Sequence, residues 1–103
     1  MNLEAQKIIE SAWENRLPLQ KSSTKKCIRK VIDEINKGKL RPAEKIKSKW
    51  KINDWVKKAI ILYFPIQKME TIESGPFEFH DKMKLKNNFK ELNVRVVPHA
   101  IAR

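Results

Sequence analysis

The sequence predicts an α+β fold, mostly α. It has three main helices, a β-hairpin between the second and third, a short fourth helix and a C-terminal strand. Three observations carry this. Apolar residues recur at three- and four-residue steps in two N-terminal stretches, the period of a helix with one buried face. An apolar run, Ala59 to Phe64, preceded by Trp55 and Val56, follows a short alternating segment. Three valines, Val94, Val96 and Val97, precede Pro98, which favours extended backbone and forbids a helix across that point.

Taken in order, Leu3 to Glu14 reads as the first helix, with Ala5, Ile8, Ile9, Ala12 and Trp13 on one face and Asn2 as its N-cap. Asn15 to Leu19, with Pro18 inside, reads as a loop. Ser22, Ser23 and Thr24 offer the next N-cap. From Lys25 to Lys37 the face is Cys27, Ile28, Val31, Ile32 and Ile35. Asp33 and Lys37 are spaced to pair outside, and Gly38 ends the helix. Leu40 to Ile46 and Lys49 to Ile52 flank Lys47-Ser48 as a short charged hairpin. Trp50 and Trp55 bracket the joint and should pack the hairpin onto the third helix. Asn53 caps that helix, with Asp54 in the first turn where a negative charge suits the helix dipole. Trp55 to Phe64 is apolar nearly all round, the pattern of a helix buried on several sides, and Pro65 ends or kinks it. Met69 to Lys86 reads as a loop around Gly75-Pro76, with a short extended piece at Phe77-Glu78-Phe79. Asn87 or Asn88 starts a short helix, Phe89 to Leu92, before the terminal strand.

The 103 residues are 41% hydrophobic, with three Trp and four Phe, which suits one packed domain rather than a disordered chain. Cys27 is the only cysteine, so no internal disulfide forms, and it reads as a small packed residue rather than a nucleophile. The N-terminus lacks the order of a signal peptide, and the longest apolar run is too short to cross a bilayer. Together these point to the cytoplasm. A net charge of +11 raises the question of an acidic partner. The lysines are spread from Lys7 to Lys90, and a solvated surface is the competing reading. A basic hairpin beside helices has the parts of a winged helix, but the order is wrong. The helix after the hairpin is too apolar to lie in a groove. Nucleic acid is therefore an unlikely partner, and no membrane is implied.

No phosphate-binding glycine loop, catalytic serine motif or zinc pattern is present. His80 lies near Glu78 and Asp81 in sequence, which reads as a surface cluster. Arg95, set among valines, should face away from them on a strand. It is either a solvated edge residue or an arginine aimed at a ligand where the chain joins a larger domain. Val94–Val97 could also serve as an exposed edge for a docking partner.

Three groups of residues then stand in a telling order. Leu40-Arg41-Pro42-Ala43-Glu44-Lys45-Ile46 with Trp50 comes first. Trp55-Val56-Lys57-Lys58-Ala59 with Ile60 to Phe64 follows. Arg95-Val96-Val97-Pro98 with Ala100 and Arg103 closes the chain. In that order and spacing they resemble the N-terminal domain of the tetrahydrodipicolinate N-succinyltransferase family. Ile8-Ile9-Glu10, Ala12-Trp13-Glu14 and Phe79-His80-Asp81-Lys82 are similar to further elements of it. The sequence departs at His99, where a second proline is frequent, and at Met83-Lys84-Leu85, which lacks a proline.

The resemblance implies that residues 1–103 are the N-terminal helical domain of an acyltransferase, with 93–103 as the bridge into a left-handed parallel β-helix that this chain lacks. It implies transfer of succinyl from succinyl-CoA to tetrahydrodipicolinate in lysine and diaminopimelate synthesis, by a cytoplasmic homotrimer assembled through that β-helix. It places Arg95 as the residue that binds the dicarboxylate substrate. It implies no catalytic, metal or cofactor-binding residue in this domain. Succinyl-CoA is a co-substrate of the whole enzyme, and the domain alone should be inactive.

Overall fold

A computed structural model describes residues 2–103, with side chains from Leu3 onward. The predicted Asn2 cap lies outside the described side chains. The chain divides into two compact units, one ending at Ile66 and one spanning Gln67–Arg103.

The first unit holds α1 (Asn2–Glu14), a 3₁₀ helix (Leu17–Gln20), α2 (Ser22–Asn36), β1 (Ala43–Ile46), β2 (Lys49–Ile52) and α3 (Asp54–Ile66). Each of the three α-helices packs on the other two. Their shared core is Ile9 and Ala12 from α1, Ile28 and Val31 from α2, and Trp55, Val56, Ala59, Leu62, Tyr63 and Ile66 from α3. Leu19 of the 3₁₀ helix joins it, so the segment expected to be a loop carries a core residue. The buried set of α3 follows helical steps of three and four, which makes one stripe rather than an all-round core. Ile61 and Phe64 stay 37% and 44% exposed, and Ile60 is half-buried. Burial of α3 on several sides is thus corrected: two neighbouring helices cover only one face of it.

Helix ends follow local chemistry. α2 begins at Ser22, with Lys21 in the capping position and no side-chain cap, and Thr24 is buried inside the helix. The predicted Ser/Thr cap is therefore not made. At its other end Gly38 takes φ 76°, its N–H bonds the Ile35 carbonyl at 3.0 Å, and the Lys39 N–H bonds the Glu34 carbonyl at 2.9 Å. This nested pair is a Schellman closure, and glycine is there because the position is left-handed. Asp33 and Lys37 pair at 2.6 Å. Lys58 and Arg16 place their charges 5.8 and 5.9 Å from the centroid of Trp13, which ties α1 to α3 by cation–π contact. The Arg29 guanidinium donates to the Ile66 carbonyl at 3.3 Å and satisfies an end group of α3.

The predicted hairpin forms, with Ile46 opposite Lys49 and Lys47-Ser48 as its two-residue turn. Lys47 adopts φ 56°, an unfavourable choice for a residue with a Cβ. Asn53 anchors the hairpin to the entry of α3. Its N–H bonds the Pro42 carbonyl at 2.7 Å, and its side-chain amide donates to the Arg41 carbonyl and to Glu44 at 2.9 and 3.2 Å. The two tryptophans part company. Trp55 is buried, whereas Trp50 is 69% exposed. Trp50 therefore does not pack the hairpin onto α3. The backbone and Asn53 hold the joint instead.

The second unit contains a hairpin where a loop was expected: β3 (Glu70–Ser74) and β4 (Phe77–Asp81). Ser74 stands opposite Phe77, so Gly75-Pro76 is the two-residue turn. Gly75 takes φ 58°, the first position of a primed turn, and a proline φ suits the second. Ile72 and Phe79 pair across the strands and are partly covered. No strand forms at 94–97, because nothing among the described residues offers it a ladder. The expected helix at Phe89–Leu92 is a single turn. No helix of the described residues is long and apolar enough to cross a membrane.

Candidate substrate-anchoring segment

Residues 82–103 carry Arg95, and their path is set by a few backbone bonds rather than by a sheet. The Leu92 N–H bonds the Asn88 carbonyl at 3.0 Å. The Asn93 N–H then bonds Lys90 at 3.1 Å and the Val94 N–H bonds Phe89 at 2.8 Å. This repeats the closure seen at Gly38, with Asn93 in the left-handed position at φ 56°. Asparagine tolerates that region better than most residues. The motif stops the turn and sends the chain out extended through Val94-Arg95-Val96-Val97. Pro98 then opens a tight turn, closed by the Ala100 N–H on the Val97 carbonyl at 2.8 Å. His99 sits at φ 52° in the position where that turn wants glycine. A proline, with φ fixed near −65°, cannot occupy it. The departure at His99 is thus compatible with this backbone, and the proline frequent there is not.

Arg95 is exposed, with no hydrogen bond or ion pair to the described residues. Val96 beside it is partly covered while Val94 and Val97 are about half exposed. The alternation expected of a strand is therefore only partial. A free guanidinium on an extended segment can receive a carboxylate through two parallel N–H donors.

Sequence reading missed what holds the ends of this segment. Asp81, the last residue of β4, forms an ion pair with Arg103 and accepts the backbone N–H groups of Lys82 and Met83. The Lys82 N–H does most to hold its carboxyl below the ordinary range. Slight desolvation opposes it, and the Arg103 charge and then the Met83 N–H add to the lowering. The Lys86 N–H bonds the Ala102 carbonyl at 2.8 Å, and the His99 ring meets Phe77 edge-on at 6.3 Å. A pair separated by 22 positions leaves no local spacing to find it by. His80 does not join the acids near it in sequence. Its Nδ1 lies 2.8 Å from the Thr71 hydroxyl, on the face of the hairpin opposite Asp81.

The first unit offers a different feature, an apolar groove of about 250 Å³ between α1 and α2. Ala5, Ile8, Cys27, Val31, Leu40 and Trp55 line it, with Glu4, Lys26, Lys30 and Glu34 among the polar residues around it. Burial, aided by Glu4 and opposed by Lys30, raises the Cys27 pKa above its ordinary 9.0. The thiol stays protonated near neutrality, as a packed residue should and an activated nucleophile should not. Among the described residues no group of three or more His, Cys, Asp or Glu is placed to hold a metal.

Comparison with known proteins bears on both units. Residues 4–66 match the family model described as tetrahydrodipicolinate N-succinyltransferase N-terminal. A 2,3,4,5-tetrahydropyridine-2,6-dicarboxylate N-succinyltransferase of Aeromonas salmonicida is 42% identical over 97% of this chain and 40% of its own length. Proteins of the same name from Acinetobacter baylyi and Variovorax paradoxus are 41% and 36% identical, over 93% and 100% of this chain. The chain spans about two fifths of the length of these curated relatives. The matched span coincides with the three-helix unit and its hairpin, and the chain belongs to the tetrahydrodipicolinate N-succinyltransferase N-terminal family.

Proposed function

We propose that this chain supplies the N-terminal domain of a succinyl-CoA-dependent N-succinyltransferase acting on tetrahydrodipicolinate, and that Arg95 binds a carboxylate of that acceptor. The observation that carries the reading is the match of 97% of the chain, at 42% identity, to a protein bearing that enzyme's name. The free guanidinium of Arg95 agrees with it. In the reaction water adds across the ring C=N bond and opens it, and the amino nitrogen of this ring-opened acceptor attacks the thioester carbonyl. A C–N bond forms, the C–S bond breaks, the amine gives up a proton and the CoA thiol leaves. Arg95 holds the acceptor by its negative end and takes no part in bond exchange. The CoA site, the catalytic groups and the contacts of a homotrimer belong to the β-helical remainder. This is a cytoplasmic step of lysine and diaminopimelate synthesis.

The test joins residues 1–103 to the remaining length of the Aeromonas salmonicida relative and measures steady-state kinetics. Arg95→Ala should lower kcat/KM for the acceptor by roughly 10- to 100-fold. A charge-assisted bidentate contact contributes about 1.5–3 kcal/mol, and about 1.4 kcal/mol is one decade. Arg95→Lys keeps the charge, loses the fork and should recover only part. The KM for succinyl-CoA should not move. Unchanged acceptor kinetics in both variants would show Arg95 to be a solvated residue.

A further inference from the structure

β4 and the end of the chain run side by side. Phe77, Phe79 and Asp81 share one face of the second hairpin, because strand residues alternate. His99 meets the first of these and Arg103 the last. The contacts advance by four residues on each segment, so residues 99–103 lie along that face in the same direction as β4. Lys86 and Ala102 are joined by a backbone bond just inside the Asp81–Arg103 pair. Everything between, including Arg95, is a loop pinned at its base.

We propose that Asp81 is a positioning residue for Arg95. With Arg103 it closes the loop of residues 82–102, and so fixes where the Arg95 guanidinium meets the acceptor's carboxylate. The inference rests on the reading of Arg95 given above. An isolated exposed ion pair would contribute little order. Here the same carboxylate also takes the N–H groups of Lys82 and Met83, which set the direction in which the chain leaves β4. Without these bonds the loop ends separate, and the freedom regained falls on the extended segment that carries Arg95. The Arg95 side chain has no bond to the described residues, and the turns on either side of it set only its local path, so the loop base is what orients that path on β4.

Two measurements decide this. In the 103-residue chain, amide exchange at Lys86 reports the closed base, whereas exchange at Leu92 and Val94 reports the local turn. Asp81→Ala should speed Lys86 by about tenfold or more while sparing Leu92 and Val94. Arg103→Ala, which leaves both strands intact, should speed it in the same sense. Asp81→Glu should partly restore it. In the fused enzyme, Asp81→Ala and Arg103→Ala should raise the acceptor KM roughly tenfold, the scale of a small misplacement, and leave the succinyl-CoA KM alone. Unchanged Lys86 exchange in both variants overturns the clamp. Faster exchange with an unchanged acceptor KM, in an enzyme where Arg95→Ala does raise it, overturns the positioning role. If Arg95→Ala itself has no effect, the Arg95 reading falls and takes the positioning role with it, while the exchange data still decide whether the base is clamped.

Discussion

Leu62→Ala tests the core where the helices converge. Leu62 is fully buried, as are Ile9 of α1, Ile28 of α2 and Val56 of its own helix. Truncation removes three carbons from a closed site. At about 0.8 kcal/mol per methylene the transfer part alone is about 2.4 kcal/mol. The cavity left behind brings the total to roughly 3–5 kcal/mol. A unit of this size is held by only about 3–10 kcal/mol in all. With a urea slope of about 1–3 kcal/mol per molar, the midpoint should fall by roughly 1–5 M, or the unit should be unfolded without denaturant. The next residue supplies the control. Ile61 is 37% exposed on the other side of the same helix. Ile61→Ala should cost about 1 kcal/mol, part of its burial being missing already. Tryptophan fluorescence reads the right unit, since Trp13, Trp50 and Trp55 all precede Gln67. Equal midpoints for the two variants would refute the one-stripe packing of α3.

His99→Gly should tighten the 97–100 turn, seen as slower amide exchange at Ala100, because glycine removes the left-handed penalty, while the lost edge-on contact with Phe77 offsets part of the gain for the unit. His99→Pro should open the turn and lose the 97–100 bond, seen as faster amide exchange at Ala100. Cys27 should react with iodoacetamide at pH 8 more slowly than a small free thiol, because burial disfavours the thiolate. Its folded pKa is raised, so its contribution to stability is present below 9.0 and is lost as pH climbs through the higher folded value. Wild type should therefore lose midpoint at alkaline pH faster than Cys27→Ala, and parallel pH curves would place the thiol in solvent.

The helices were legible in the sequence because their signal is local. Ile9 and Ala12, Ile28 and Val31, and Val56, Ala59 and Leu62 stand at helical steps, and all are buried. The first hairpin was legible from the alternation of Lys49 to Ile52. The second was not, because Glu70-Thr71-Ile72-Glu73-Ser74 carries a single aliphatic residue and gives no two-residue period. Its one clear sign, Gly75 before Pro76, fits a primed turn as well as it fits a loop. The terminal valines misled in the opposite direction. Val94, Val96 and Val97 have the propensity of a strand, but a strand exists only when another backbone answers its hydrogen bonds.

The candidate site divides along the same line. Arg95 could be named from its neighbours and from a family resemblance, both of which are properties of a short stretch. What places it could not. The Asp81–Arg103 pair and the Lys86–Ala102 bond join residues whose separation carries no pattern, and their chemistry becomes visible only once β4 sets Asp81 at the loop base. Trp50 shows the converse error. An aromatic beside a hairpin invites a packing role, yet nothing in a four-residue alternation says which face a partner will cover, and the ring is left in solvent. Residue type thus foretold which groups could act, and long-range closure decided which of them are held still.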